Sequence, residues 1–185
     1  MMAVPAAETS FDRLGGRQAI EHAAELQSLH DEVYADVPAA GGDFASRFRV
    51  HCRQPGFVLV GARSGGYLIG YAAGMPLRPS TSWWRELTTT LPEQVTMEYQ
   101  GRTFALVELL VRGSWRRQGI GRSLHGLILA GRPEERATVV VPPTAAAAQA
   151  AFQNWGWQKI ARARNPAGLP ASDVLITALP ANRDR

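Results

Sequence analysis

Apolar positions recur at helical spacing early in the chain and at strand spacing through its middle. Ala19, Ala23, Leu26, Leu29 and Val33 share one face of a helix predicted over 17–33. A Pro-Ala-Ala-Gly-Gly turn at 38–42 follows, and Asp43 is placed to cap a second helix reaching about residue 53. The apolar runs 57–62 and 67–74, separated by Ser64-Gly65-Gly66, read as an antiparallel hairpin. Residues 103–111 form a long apolar strand, followed by a polar, glycine-containing loop and a helix to about residue 130. The Val-rich run 137–141, stopped by Pro142-Pro143, is a buried strand. Thr144 is placed to cap a helix over 145–155. Runs 157–163 and 174–179 read as closing strands, joined by a Pro/Gly loop at 165–172. Residues 181–185 form a terminal tail.

The stretch 76–100 breaks these patterns. It holds three prolines, a Ser-Thr-Ser run, the Trp83-Trp84 pair and a Thr triplet. A helix over 83–91 and a short strand over 95–99 are the expected regular pieces. Irregular insertions of this length are often functional. Plugging of both tryptophans onto the core is the equally weighted alternative.

Composition narrows the class. The 185 residues suit one domain, and 45% apolar content with five Trp and six Phe supports a real core. Of the twenty Lys+Arg residues only Lys159 is a lysine, and the net charge is +4. Arginine stays protonated at ordinary pH, so this modest excess raises the sequence pI to about 9.8. The basic residues are scattered, without interleaved aromatics, which disfavours nucleic acid as partner. Cys52 is the lone cysteine, so no intrachain disulfide is expected; His51 beside it lacks a second ligand pair, so no metal site is expected. No signal peptide or membrane span is expected, and a cytoplasmic location follows as the expectation. The Arg-rich, Lys-poor usage suggests a high-GC bacterial source.

The densest chemistry lies between Val111 and Leu124. Two glycines spaced G-x-G and four arginines (Arg112, Arg116, Arg117, Arg122) occur there with no acidic residue. A strand, a tight turn and a helix start would present free backbone N–H groups and the positive helix end to an anion. A phosphate or pyrophosphate is the expected ligand. No Gly-Lys pair exists for a P-loop, and Leu124 stands where a dinucleotide fingerprint requires a third glycine.

Arg116-Arg117-Gln118-Gly119-Ile120-Gly121, preceded by Glu108-Leu109-Leu110-Val111, resembles the [Q/R]-x-x-G-x-[G/A] signature of the GNAT superfamily of N-acetyltransferases. A second stretch, Ala148 to Ile160 with Phe152, Gly156 and Trp157, resembles that family's A-x-x-x-[Y/F]-x-x-x-G-[F/W] element. The resemblance covers roughly residues 103–179. It implies an α+β (α/β three-layer) fold: a mixed, mostly antiparallel central sheet of about six to seven strands, with helices on both faces. It implies one domain over 1–180, with an acyl-CoA-binding core at about 103–160.

The activity implied is transfer of an acetyl group from acetyl-CoA, as cosubstrate, to a primary amine. The loop Arg116, Arg117, Gln118, Gly119, Ile120, Gly121 and Arg122 would hold the pyrophosphate, and the main chain of Leu109, Leu110 and Val111 the pantetheine arm. The Val111 N–H would polarise the thioester carbonyl. Glu108 is the candidate base, with Glu98 second. Many relatives have a tyrosine, serving as acid, where this chain has Phe152; unassisted departure of the thiolate is then expected, with Tyr99, Ser114 and His125 as other donors. A non-catalytic acyl-CoA sensor is the alternative. The acceptor, a small-molecule or peptide amine, would meet Glu25, Asp31, Glu32, Glu86, Asp173, Trp83 and Trp84. A monomer or homodimer is expected, with no membrane partner.

Overall fold

The computed structural model describes residues 8–35, 43–164 and 170–180. They cluster into two compact units, Met1–Gly74 with Glu108–Ala130, and Met75–Val107 with Gly131–Arg185. The predicted turn at 38–42, most of the loop at 165–172 and the tail at 181–185 lie outside the described residues.

The first unit begins with β1 (Thr9–Gly15), which pairs antiparallel with β2 (Val58–Ser64). The hairpin is as expected: β2 turns through Gly65 and Gly66, at φ 56° and 83°, into β3 (Tyr67–Pro76). Two positive φ values in succession are what a tight two-residue hairpin turn requires, and glycine adopts them without steric cost. Both faces of β2 and β3 are buried. The helices are α1 (Gly16–Glu21), α2 (Ala23–Val33) and α3 (Phe44–Cys52). The expected single helix over 17–33 is thus broken at His22, whose N–H bonds back to Ala19 O at 3.1 Å, three residues earlier. The apolar stripe continues in phase across the break, so periodicity does not reveal it. Asp43 caps α3 as expected, accepting from the Ser46 N–H at 3.0 Å.

Strand β4 (Thr103–Val111) matches its predicted bounds. A short 3-10 turn (Gly113–Trp115) then leads to α5 (Ile120–Leu129). On β3, a side chain at Gly70 would meet Leu110 O at 2.8 Å and Leu124 of α5 at 3.2 Å. Glycine there lets α5 and β4 close against the strand.

In the second unit, β5 (Arg136–Val141) pairs parallel with β4 from Thr103↔Arg136 to Leu106↔Val139. β7 (Ser172–Ala178) pairs antiparallel with both β5 and β6 (Gln158–Ala163). The strand order is β1-β2-β3-β4-β5-β7-β6, mostly antiparallel with one parallel pair. This is the α+β architecture the sequence implied.

Three local expectations are corrected. Residues 83–91 are not a helix: Leu87 bridges Ala163, and Thr88 N–H and Arg164 N–H bond Arg162 O and Glu86 O, each at 2.8 Å. Residues 95–99 are not a strand; α4 (Glu93–Thr96) occupies that region. Thr144 does not cap by its side chain: α6 (Ala146–Asn154) starts after Ala145, with Ala146 N–H bonded to the Thr144 carbonyl at 3.0 Å. Trp84 packs with Leu77, Ala105, Ala161 and Val174, and Trp83 lies against that cluster. The tryptophans therefore anchor the insertion within this unit.

Candidate active site

The turn before α5 is built by two left-handed residues. Arg117 has φ 65° and Gly119 φ 83°. A non-glycine residue at positive φ is strained, which marks the turn as constrained by its surroundings. The first α5 bond of this turn runs from Ser123 N–H to Gly119 O at 3.0 Å, so the N–H groups of Ile120, Gly121 and Arg122 have no intrahelical acceptor. Gly121 has no such backbone need. A Cβ there would meet only Leu109 and Val111 side-chain atoms at 3.8 Å, an ordinary contact. The fold does not require glycine at 121, whereas close approach of a ligand to the backbone would.

The arginines divide. Arg112 is buried: its Nε donates to Leu68 O at 2.8 Å, it pairs with Glu32, and it stacks over Tyr67 at 4.6 Å. It is a strut and is withdrawn from the anion-facing set. Arg116 donates to Val111 O at 3.1 Å. Arg117 and Arg122 are exposed beside the helix start. Gln118 donates to Ser114 O at 3.1 Å, bracing the turn.

At the end of β4 the backbone alternates. Arg112 N–H bonds Ile69 O on β3 at 2.9 Å, and Leu110 O also faces β3. By the alternation of an antiparallel ladder, the N–H groups of Val111 and Leu109 point the other way. The pairing of β4 with β5 ends at Leu106. Side chains alternate too: Leu109 and Val111 face α5, and Glu108 faces the opposite side.

There Glu108 accepts a hydrogen bond from the Tyr71 hydroxyl of β3, and Arg47 of α3 stands 4.0 Å away. Burial raises the Glu108 pKa above the usual carboxylate range; the Tyr71 bond, His30 and Arg47 oppose that rise. Its side chain is 18% exposed, so the carboxylate is shielded but not sealed off. Burial and the Glu108 charge hold the Tyr71 pKa well above normal and push Tyr34 up to about 12, so both phenols stay protonated. His30 lies tilted against both Tyr34 and Phe44, with ring centroids 4.7 Å apart in each pair. Glu108 is thus a carboxylate whose pKa burial raises, the direction a proton acceptor needs, and which a phenol orients.

Sequence reasoning missed Tyr71, Tyr34, His30 and Arg47. The usable signal was Tyr71, a tyrosine amid small and aliphatic residues of a buried strand, whose hydroxyl needs a partner.

Each remaining candidate has surroundings of its own. Glu98 is buried and its Oε1 accepts from Trp84 Nε1, Thr103 Oγ1 and Arg136 at 3.0, 2.8 and 2.9 Å. It is a structural hub of the second unit. Phe152 is buried edge-on against Trp155 and Trp157, with centroids 5.4 and 5.2 Å away. Tyr99 donates to Glu135 at 2.7 Å, and Ser114 is exposed on the 3-10 turn. Burial lowers the His125 pKa to about 4, so it is neutral at ordinary pH and supplies no imidazolium acid. Glu25 pairs with Arg63 at 2.7 Å, Glu32 with Arg112, and Asp173 with Lys159 at 2.7 Å and Arg162 at 3.1 Å. Asp31 contacts His30 at 3.2 Å, and Glu86 is exposed. Among the described residues no group of three His, Cys, Asp or Glu side chains is arranged to hold a metal, and no helix is long and apolar enough to cross a membrane.

Residues 21–157 match the family model described as Acetyltransferase (GNAT) family. The chain belongs to the GNAT acetyltransferase family. Solved structures agree in fold. A GNAT-family protein from Desulfovibrio desulfuricans aligns with TM-score 0.68 at 14% identity, over 94% of this chain and 100% of that one. The PaiA N-acetyltransferase from Thermoplasma acidophilum, in complex with coenzyme A, aligns with TM-score 0.59 at 12% identity, over 92% and 99%. An aminoglycoside 6'-acetyltransferase type Ii aligns with TM-score 0.67 at 13% identity, over 94% and 99%. No curated protein matches this GNAT chain.

Proposed function

We propose that residues 1–180 form one N-acetyltransferase domain that moves an acetyl group from acetyl-CoA to a primary amine by direct attack in a ternary complex. The observation that carries this reading is the α5 start: three N–H groups without intrahelical acceptors, beside a glycine the fold does not need. The CoA complex of a structural neighbour supports the same cosubstrate.

In this reading the N–H groups of the loop Arg117–Arg122, with Gln118, Gly119, Ile120 and Gly121 among them, take the pyrophosphate. Arg116, Arg117 and Arg122 supply positive charge around it. The main chain of Leu109 and Val111, with Leu110 spacing them on β4, takes the pantetheine arm as an added strand. The Val111 N–H polarises the thioester carbonyl; one well-aimed donor of this kind is worth about 2.7–4 kcal/mol. The amine nitrogen attacks that carbonyl, the C–N bond forms and the C–S bond breaks. Glu108 takes the amine proton, directly or through one water, and the sulfur leaves as thiolate and takes a proton from solvent. Phe152 has no proton to give, and a thiol pKa near ~8.5 makes assistance helpful rather than mandatory.

Calorimetric titration of acetyl-CoA into the protein, with NAD and ATP as controls, tests the loop. Selective binding is expected, and Gly121→Val should abolish it while circular dichroism and melting stay near wild type. Unimpaired binding by that variant would overturn the loop assignment. Thiol release on adding amines then separates an enzyme from a mere acyl-CoA sensor.

A further inference from the structure

Two of the three acids on α2 already have arginine partners. Glu25 pairs with Arg63 and Glu32 with Arg112, while the largely exposed Asp31 touches His30 at 3.2 Å. At the head of α3, Asp43 is committed to the Ser46 N–H. Tyr71 and Tyr34 are neutral phenols. Burial, and then the Arg47 charge, lower the pKa of His51 on α3, which disfavours its charged form. Among the described residues Glu108 is the buried carboxylate of this cluster, and the charge next to it is a cation.

That cation pairs only loosely with Glu108. At 4.0 Å, Arg47 Nη2 lies beyond hydrogen-bond reach of the carboxylate, and its side chain is 49% exposed. Contrast Arg63 and Arg112, which bond their carboxylates closely. An arginine held loosely beside a buried acid offers a planar fork to a second group on the same small molecule. An acceptor with several positive charges would place a further cation against Arg47, beside the very group it contacts.

Resting on the acetyltransferase reading above, we propose that the acceptor is a zwitterion: a small amine bearing a carboxylate, of which an α-amino acid is the simplest case. Its amine meets Glu108 and its carboxylate meets Arg47. The separation matches, because a few ångströms divide the two charges of such a molecule as they divide Glu108 from Arg47.

The test measures thiol release from acetyl-CoA with three acceptor sets: L-amino acids, their α-carboxamides and spermidine. At least one amino acid should exceed its own carboxamide tenfold or more in kcat/KM. Arg47→Gln should raise that acceptor's KM tenfold or more, erase the preference over the carboxamide and leave the acetyl-CoA KM unchanged. Arg47→Lys should recover part of the loss. Carboxamides or spermidine acetylated as well as the amino acids, or an unchanged acceptor KM in Arg47→Gln, would overturn the proposal while leaving the acetyltransferase reading intact. Calorimetric acetyl-CoA binding with no acetylation of any amine would remove the catalytic reading, and this inference with it.

Discussion

Glu108 combines two properties that pull on different observables. Its carboxyl is pushed up in pKa by burial, and the Tyr71 hydroxyl points its proton at it. As a base it should set the acidic limb of the kcat/KM profile, displaced above the pH of an ordinary carboxylate. Glu108→Gln should remove that limb and lower turnover about 10²-fold or more, the low end of what a general base contributes. Acetyl-CoA affinity should stay within about twofold. The same pKa makes a stability statement. A carboxyl whose folded pKa exceeds its unfolded value stabilises the fold fully below the unfolded pKa, near ~4.3 for glutamate. That contribution is lost as pH rises through the raised folded pKa. Denaturant titrations should therefore show Glu108→Gln gaining on wild type between weakly acidic and neutral pH. Parallel stability curves across that window would mean the carboxyl is not held neutral by its surroundings.

At the scale of elements, the second unit's insertion is pinned by one acid. Glu98 accepts from Trp84, Thr103 and Arg136, and its side chain is almost fully buried. Glu98→Ala would leave a guanidinium and two further donors without their acceptor. Breaking one partner of a buried ion pair typically costs about 3–5 kcal/mol. At about 2–4 °C per kcal/mol, a fall in melting temperature of roughly 6–20 °C is expected, with kcat near wild type well below the transition. A kcat loss like that of Glu108→Gln, without loss of stability, would restore Glu98 as a base.

The insertion also shows why parts of the fold escaped the sequence. Residues 83–91 read locally as a helix, but Leu87 and Thr88 pair with the β6 region some 75 positions later. The strand β1 was invisible for a related reason: with Phe11 and Arg13 exposed at the edge of the sheet, it lacks an alternating apolar face. By contrast β4 and the α5 start were legible, since a continuous apolar run and a G-x-G turn are local signals. The proton-accepting cluster was only half legible. Glu108 could be nominated, but Tyr71, Tyr34 and Arg47 reach it from three other elements, and only the folded chain brings them together.

For the molecule as a whole, ligand binding and stability are one equilibrium. A ligand that binds only the folded chain stabilises it by about 2.7 kcal/mol at a hundredfold excess over its Kd. For 150–250 residues each kcal/mol moves the melting temperature by about 2–4 °C, so saturating acetyl-CoA should raise it by roughly 5–11 °C. Gly121→Val should melt near the ligand-free wild type and show almost no such rise, because its added side chain occupies the approach to the α5 N–H groups. NAD and ATP should shift neither protein. Cys52 offers an independent reading of the same transition: it is buried, and burial pushes its thiol pKa to about 11. Thiolate is the reactive form, so alkylation at neutral pH should be slow in the native chain and should track unfolding. Acetyl-CoA should then slow Cys52 labelling in wild type and not in Gly121→Val. An equal rise in melting temperature with ATP, or equal protection of Cys52 in the variant, would show that the loop binds phosphates generally or that the ligand sits elsewhere.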